Sequence, residues 1–259
     1  IKAVSFTGST QTGRRIAQST AGSFKKISLE MGGKNPVLIF SDCNWSAMIE
    51  TVVRSSFQNS GQICLCGSRI LVEESSALRF EKDFSAAVQD LRLGDPLDRE
   101  IRMGPLVSRQ HYDKVWNFLQ EARRLSARFV FGGTRGAFEK GFFLEPTLLT
   151  DLPDSCSLLQ EEIFGPVVTL QTFRTAEEAI QLANASSYGL AGSLWTENAS
   201  RAQSMARALE VGMLWINSWM VRDLRVPFGG WKNSGFGREG GEEALRFFTE
   251  VKSLYWHQS

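Results

Sequence analysis

Thiol and imidazole side chains are the groups in this sequence best suited to nucleophilic or metal chemistry, and there are few of them. The chain has two histidines and four cysteines. The cysteines are Cys43, Cys64, Cys66 and Cys156. They do not follow a disulfide-scaffold pattern, and Cys64 and Cys66 lack the two-residue separation of zinc ribbons and redox motifs. We therefore expect reduced thiols and no metal site.

The histidines limit the hydrolytic chemistry as well. His111 and His257 lie in unrelated contexts, and no G-x-S-x-G elbow is present. Because the common catalytic triads need a histidine base, a Ser or Cys hydrolase of that type is excluded. A free cysteine is most often a buried structural thiol, so Cys64 taken alone is weak evidence for a nucleophile.

The elements that must position these residues follow an α/β order. Three β-rich apolar runs alternate with amphipathic helices: residues 36–40, 68–72 and 167–170. One predicted helix, which ends before Gly94, carries apolar residues at helical spacing: Phe80, Phe84, Val88 and Leu91. Thr175 with Glu178 predicts a capping box at the start of another helix. The pattern predicts a globular α/β fold.

A glycine-containing turn follows the first apparent strand, residues 3–6, and leads into a helix-like segment. Gly8 and Ser9 lie at this junction, where the amides of a helix N-terminus are able to bind an anion. The pattern is not a full G-x-G-x-x-G, so an ordinary strand-to-helix turn remains the alternative.

Charge and hydropathy exclude several classes of partner. The 29 basic and 28 acidic side chains leave no excess charge, and no Lys/Arg block stands out. No apolar run reaches the roughly 20 residues of a membrane span, and the first residues lack the features of a signal peptide. These patterns predict a cytoplasmic protein that binds neither nucleic acid nor a membrane.

Four motifs in a fixed order resemble signatures of the aldehyde dehydrogenase family. They are Ser-Leu-Glu-Met-Gly-Gly-Lys-Asn-Pro at 28–36, Phe-Gln-Asn-Ser-Gly-Gln-Ile-Cys at 57–64, Glu-Glu-Ile-Phe-Gly-Pro-Val at 161–167 and Pro-Phe-Gly-Gly-Trp-Lys-Asn-Ser-Gly at 227–235. The first contains the family's catalytic glutamate and the second its catalytic cysteine. The motifs span most of the chain, so the resemblance implies the family's fold and chemistry.

The resemblance implies that Cys64 is the nucleophile and Glu30 the base. A cysteine thiolate can attack an aldehyde carbon, release a hydride from the adduct and then depart, so it suits a thiohemiacetal and thioester route. Glu30 would take a proton from the water that hydrolyses the thioester, which favours a free acid over acyl transfer to coenzyme A. Without its motif, Glu30 would be a solvated strand-end carboxylate. In an extended segment Cys66 would share a face with Cys64, and an inert neighbour is favoured over a reversible disulfide between them.

The cofactor implied by the resemblance is NAD, with NADP left open. Gly8 and Ser9 match family positions near the pyrophosphate, and Glu162 and Phe164 match positions that hold and pack against the nicotinamide ribose. A carboxylate suits ribose hydroxyls because it accepts hydrogen bonds in pairs. Taken alone, Glu162 would be a surface loop acid and Phe164 a core aromatic.

Three segments are similar to the muconic-semialdehyde branch of the family: residues 63–66, 221–225 and 247–252. That branch oxidises an aldehyde that also carries a carboxylate, which a guanidinium can hold with two parallel hydrogen bonds. Arg222 and Phe228 are the predicted substrate-binding residues. A surface Arg222 paired with Asp223 is an equal alternative, and Arg225 is the local competitor.

The resemblance implies three regions: a C-terminal fragment of a Rossmann-like nucleotide-binding domain at 1–32, a catalytic domain at 33–232, and a crossover and oligomerisation tail at 233–259. The tail is expected to end in a strand at 250–256, and the full-length protein to form a homodimer or homotetramer. The family's oxyanion asparagine and adenosine pocket would precede Ile1, so the isolated chain is expected to be inactive. Two other functions stay open: a catalytically silent chain that acts through subunit contacts, and a coenzyme A-dependent acylating enzyme.

Overall fold

The computed structural model describes residues 1–138 and 140–258. Glu139 and Ser259, which belong to the predicted catalytic domain and tail, lie outside that description. The helices are α1 Thr10–Thr20, α2 Trp45–Phe57, α3 Ala77–Gln89, α4 Arg109–Arg124, α5 Ser157–Gln160, α6 Ala176–Asn184, α7 Ala199–Ala208 and α8 Gly241–Phe248. The strands are β1 Ala3–Thr7, β2 Lys26–Glu30, β3 Asn35–Ile39, β4 Gly67–Glu73, β5 Arg128–Phe131, β6 Thr147–Thr150, β7 Val167–Phe173, β8 Tyr188–Gly189, β9 Ala191–Trp195, β10 Met213–Ile216, β11 Trp231–Lys232 and β12 Gly235–Phe236.

The larger sheet has seven strands in the order β10-β9-β3-β4-β7-β6-β5, and only the β5–β6 pair is antiparallel. Its central strands are apolar on both faces, as expected when helices cover both sides of a parallel sheet. Val37 and Ile70 pack in the cluster that includes residues of α2 and α3. Leu38 and Leu71 point to the opposite face, against α6 and α7. The predicted α/β architecture is therefore present.

A second sheet of three strands has the order β1-β2-β12. β1 pairs with β2 in parallel, so the first strand finds its partner about twenty residues downstream. β12 pairs antiparallel with β2, and Gly235 lies opposite Glu30. The tail thus returns to the start of the chain and encloses the end of β2 between two strands. A short β8–β11 ribbon forms beside them.

Local signals in the sequence predict the helix starts well. Thr175 caps α6 by accepting a hydrogen bond from the Glu178 amide at 3.2 Å. The Glu178 carboxylate accepts from the Arg174 amide at 2.8 Å, one residue before the position that a strict capping box uses. α3 carries Phe80, Phe84 and Val88 in the core but ends at Gln89. Among the described residues, no helix combines the length and apolar character needed to cross a membrane.

The strand expected at 250–256 is not formed in the single chain. Residues 249–258 make no ladder with any described strand, and Val251 is 96% exposed. A strand needs a neighbouring strand to accept its backbone hydrogen bonds, and the described residues provide none beside this segment. Lys26 contacts the start of this segment. Its ammonium group donates a hydrogen bond to the Thr249 carbonyl at 2.6 Å and forms a salt bridge with Glu250 at 2.9 Å.

Candidate active site

Cys64 lies in a tight turn and not in an extended segment. The Cys66 amide donates to the Ile63 carbonyl at 2.9 Å, which closes a four-residue turn with Cys64 at its second position. The prediction that Cys64 and Cys66 share a face of an extended segment is therefore wrong. The Cys66 thiol instead points toward the Gln58 carbonyl at 4.0 Å and is buried.

The Asn-Ser-Gly run of the cysteine motif turns the chain sharply between α2 and this turn. Asn59, Ser60 and Gly61 all have left-handed backbone angles, with φ of 52°, 56° and 72°. A Cβ on Gly61 would lie 2.2 Å from the Gly165 carbonyl oxygen, so this position has no room for a side chain. The motif therefore brings Cys64 to the carboxyl end of α2.

Side chains from distant parts of the sequence hold the carbonyls of the turn. The Asn35 side-chain amide donates to the Cys64 carbonyl at 2.7 Å and to the Cys66 carbonyl at 2.9 Å. The Trp219 indole donates to the Leu65 carbonyl between them at 2.9 Å. The sequence analysis assigned no role to Asn35 or Trp219. Asn35 could have been identified because it is a polar residue at the start of an otherwise apolar buried strand.

Cys64 is the only one of the four cysteines that is partly exposed. Burial raises the pKa of its thiol, and the charges of Glu162 and Glu30 raise it further. Its own backbone N–H and the Arg222 guanidinium act in the opposite direction. The charges of Glu162, Glu30 and Arg222 therefore act on the Cys64 thiol. Burial raises the pKa of Cys43 to about 11 and that of Cys66 to about 12.

Glu30 ends β2 and is 2% exposed, so it is not a solvated strand-end carboxylate. Neither of its carboxylate oxygens accepts a hydrogen bond from a described residue. Burial raises the pKa of Glu30 to about 8, with a further contribution from the nearby negative charge of Glu239. The positive charge of Arg238 and the nearby Gly230 amide lower the pKa of Glu30 but offset the rise only in part. The Gly230 amide lies outside hydrogen-bond geometry. Sequence reasoning missed Glu239, which follows the fourth motif.

Glu162 is fixed against the glycines of the glutamate motif. The Gly33 amide donates to its Oε1 at 3.2 Å, and a Cβ on Gly32 would lie 1.9 Å from its Oε2. Lys114 donates to its backbone carbonyl at 3.0 Å. Burial raises the pKa of the Glu162 carboxyl group. The Glu162 carboxylate therefore lies against Gly32 and Gly33, and in this position it leaves no room for a side chain on Gly32.

Phe164 is placed by a histidine that the sequence analysis set aside. The backbone of Phe164 is left-handed, with φ of 59°. His111 Nε2 lies 2.5 Å from the Phe164 carbonyl, and the two rings meet edge to face at 5.8 Å. Burial lowers the pKa of His111, and the hydrogen bond to the Phe164 carbonyl acts in the opposite direction. No local pattern marked His111, because its partner lies 53 residues away.

Gly8 and Ser9 lie at the junction of β1 and α1, as predicted. The Gly8 amide donates to the Glu30 carbonyl at 2.9 Å, so it serves the sheet. Ser9 caps α1 by accepting from the Thr12 amide at 3.2 Å. Among the described residues these two contact the end of β2 and their own helix, and their predicted role at the pyrophosphate stays a prediction.

Arg222 and Phe228 line a cavity of about 330 Å³. Its walls are residues 212–215, 221–223 and 226–228. The Arg222 guanidinium lies over the Phe228 ring at 4.5 Å, and Phe228 packs against the apolar cluster that also contacts Cys64. Asp223 pairs with Arg225 and not with Arg222. Arg222 is exposed in a loop, as the alternative expected, but the predicted pairing of Arg222 with Asp223 is wrong.

Comparison with known proteins identifies the family of this chain. The model of the aldehyde dehydrogenase family matches residues 1–254. The chain is 44% identical over 257 residues to 2-aminomuconic semialdehyde dehydrogenase of Bos taurus, covering 97% of this chain and 53% of the relative. It is 42% identical over 258 residues to 2-hydroxymuconic semialdehyde dehydrogenase of Pseudomonas sp. (strain CF600), covering 98% and 53%. The chain spans about half the length of these relatives.

Solved structures give the same result. A point mutant of an aldehyde dehydrogenase from Bacillus cereus superposes with a TM-score of 0.95 at 40% identity, over 98% of this chain and 52% of that one. Betaine aldehyde dehydrogenase from Staphylococcus aureus in complex with NAD+ superposes with a TM-score of 0.93 at 37% identity, over 100% of this chain and 54% of that one. The four motifs, the assembled site and these matches show that the chain belongs to the aldehyde dehydrogenase family.

Proposed function

We propose that the protein oxidises a carboxylated semialdehyde to the acid, with NAD as the hydride acceptor, through a thioester on Cys64. The observation that carries this proposal is the partly exposed Cys64, which packs against the same apolar cluster as Phe228, the ring that Arg222 covers. The buried carboxylate of Glu30 at the end of β2 supplies the base that the reaction requires. The muconic semialdehyde dehydrogenases among the relatives support the substrate class.

Cys64 begins the reaction. Its thiolate attacks the aldehyde carbon and forms a thiohemiacetal, whose oxyanion lies near the Cys64 backbone N–H. One such donor contributes roughly 3 kcal/mol in comparable oxyanion holes. The turn carbonyls are tied to Asn35 and Trp219, so the turn holds the thiol in place without using that N–H. NAD, when bound, accepts the hydride that leaves this carbon, and a thioester remains on Cys64.

Glu30 completes the reaction. A buried carboxylate with a pKa of about 8 is a much stronger base than an exposed one, so it can take a proton from water as the water attacks the thioester. The acid leaves, and the Cys64 thiolate is restored. The proton moves to the Glu30 oxygens, which accept no hydrogen bond from the described residues.

The residues present fit a nicotinamide nucleotide. Glu162 is a half-buried carboxylate that accepts one backbone N–H from the described residues, so it retains acceptor capacity for two ribose hydroxyls. The glycine cradle at Gly32 holds it from behind. Phe164, fixed by His111, would pack beside the ribose. We propose NAD as the cofactor.

Arg222 is proposed to select the substrate by holding its distal carboxylate. Its guanidinium makes no ion pair with a described residue, whereas Arg225 is committed to Asp223. The Phe228 ring beneath Arg222 orients the guanidinium and adds an apolar surface for the substrate chain. We further propose cytoplasmic action and a homo-oligomer, in which the tail at 250–256 contributes to assembly.

The test compares a carboxylated semialdehyde with a neutral aldehyde of equal length in the full-length protein. Cys64→Ser is expected to abolish NADH formation with both. Arg222→Ala is expected to cost about 2 to 4 kcal/mol in kcat/KM for the carboxylated substrate and little for the neutral one. Equal losses on both aldehydes, or a loss confined to Arg225→Ala, would contradict the assignment. A product that forms only with coenzyme A would replace hydrolysis by acyl transfer.

A further inference from the structure

The loop that carries Arg222 lies on the surface. All of residues 221–227 are exposed. The hydrogen bonds within the loop involve Asp223, whose carboxylate pairs with Arg225 and whose carbonyl accepts from the Val226 amide at 3.1 Å. Exposed side chains do little to fix the conformation of such a segment, so the position of Arg222 depends on what holds the loop backbone.

Trp215 joins this loop to the strand that precedes it. Trp215 lies in β10, is buried, and packs in the apolar cluster against which Cys64 lies. Its indole N–H donates to the Val221 carbonyl at 2.9 Å. Among the described residues, no other hydrogen bond connects residues 221–227 to the rest of the chain. The carbonyl that Trp215 holds belongs to the residue directly before Arg222.

Backbone hydrogen bonds hold the chain where the loop ends. The Phe228 amide donates to the Glu239 carbonyl at 2.8 Å, and the Glu239 amide donates to the Phe228 carbonyl at 2.7 Å. The Arg222 guanidinium lies over the Phe228 ring, 4.5 Å from its centroid. Because the loop begins at Val221 and leads to this ring, the contact between Arg222 and Phe228 depends on both attachments.

Trp219 has an equivalent contact with a different backbone. It packs in the same apolar cluster as Trp215, and its indole donates to the Leu65 carbonyl at 2.9 Å. Leu65 is the neighbour of Cys64, whereas the residue held by Trp215 is the neighbour of Arg222. Two indole N–H groups of one cluster therefore hold two separate segments, and the loss of each is expected to have a different effect.

We propose that Trp215 is a positioning residue for substrate selection, whose indole N–H fixes the loop so that Arg222 is able to hold the distal carboxylate of the substrate. The inference rests on the proposed function and adds a residue to it. A loop released from Val221 would hold Arg222 in the binding position for a smaller fraction of the time, and the apparent affinity falls with that fraction. The effect therefore belongs to KM for a carboxylated aldehyde, whereas the hydrogen bond of Trp219 belongs to the turn of the nucleophile.

The test is Trp215→Phe in the full-length protein, with 6-oxohexanoate as the carboxylated semialdehyde and hexanal as the neutral aldehyde of equal length. We expect KM for 6-oxohexanoate to rise about 3- to 10-fold relative to KM for hexanal, with kcat little changed, because one hydrogen bond is lost. Benzothienylalanine at position 215 should give the same result, since it replaces the indole N–H by sulfur and keeps the two-ring shape.

A double-mutant cycle with Arg222→Ala shows whether Trp215 acts through the guanidinium. In the Arg222→Ala background, Trp215→Phe should not lower the preference for 6-oxohexanoate any further, because the group that the loop positions is already absent. Losses of preference that add in the double variant would overturn the proposal.

Two other tryptophans provide matched controls. Trp219→Phe should lower kcat/KM equally for both aldehydes, because it releases the Leu65 carbonyl in the turn of the nucleophile. Trp45→Phe should leave the preference unchanged, since that indole donates to Asp83 at 2.9 Å between α2 and α3.

Three results would overturn the role of Trp215 alone: a preference that survives Trp215→Phe, equal losses on both aldehydes, or a loss in Trp215→Phe that benzothienylalanine does not reproduce. The last two would assign the effect to the packing of the ring. If the unmodified protein did not prefer 6-oxohexanoate, or if its preference survived Arg222→Ala, the role proposed for Arg222 would fail as well.

Discussion

The pKa of Glu30 makes a direct prediction for the pH dependence of thioester hydrolysis. A general base works only when ionised, and burial raises the pKa of this carboxyl group to about 8. We therefore expect the hydrolysis rate to rise with pH through about 8 and to level above it. Rapid-quench measurement of acyl-enzyme decay across that range is the check, and Glu30→Gln should let the thioester accumulate.

Glu239 supplies the control for this assignment. Its negative charge is the second largest cause of the raised pKa, so Glu239→Gln should move the midpoint of the hydrolysis profile to lower pH without removing the base. A profile that keeps its midpoint in Glu239→Gln, or a hydrolysis rate that is independent of pH around 8, would assign the proton transfer to another group.

At the scale of elements, the turn of Cys64 depends on the side-chain amide at the start of β3. Asn35→Ala removes both donors to the Cys64 and Cys66 carbonyls, and each unsatisfied buried group costs about 1 to 3 kcal/mol. We expect lower stability in urea and a changed rate of alkylation at Cys64. Asn35→Asp should be at least as damaging, because a carboxylate cannot donate to a carbonyl.

Asn44→Ala is the matched control for this prediction. Asn44 caps α2 by accepting from the Ala47 amide at 3.2 Å, and losing such a cap costs about 1 kcal/mol. The control should lower stability without changing alkylation at Cys64, since the cap lies at the far end of α2. If Asn35→Ala behaved in the same way as Asn44→Ala, the turn would not need the amide clamp.

At the scale of the whole molecule, we expect the isolated 259-residue chain to bind NAD weakly, with a Kd above about 1 mM, and to form no NADH. The proposed contacts in this chain serve the nicotinamide end, and hydride transfer depends on holding that end in position. Calorimetric titration with NAD, together with absorbance at the NADH band, is the measurement. Micromolar binding with steady NADH formation would show that this chain suffices.

The sequence alone determined whatever depends on residues close together in the chain. The apolar runs predicted β3, β4 and β7, because the length of an apolar run and its β-branched content are local properties. The order of the four motifs predicted the family, and with it the assignments of Cys64 and Glu30. Residues 250–256 have the local pattern of a strand but form none in the single chain, because a strand also needs a neighbouring strand for its backbone hydrogen bonds.

Only the tertiary structure decided what depends on residues far apart. Glu30 is a strong base because β12 returns to cover it and brings Glu239 close, and no spacing in the sequence encodes that approach. Arg222 and Arg225 were both candidates in the sequence, but only Arg225 has Asp223 beside its guanidinium. Burial and charge pairing arise when residues far apart in the sequence pack together. The helices and strands could therefore be predicted from the sequence, whereas the electrostatics of the site depended on the tertiary structure.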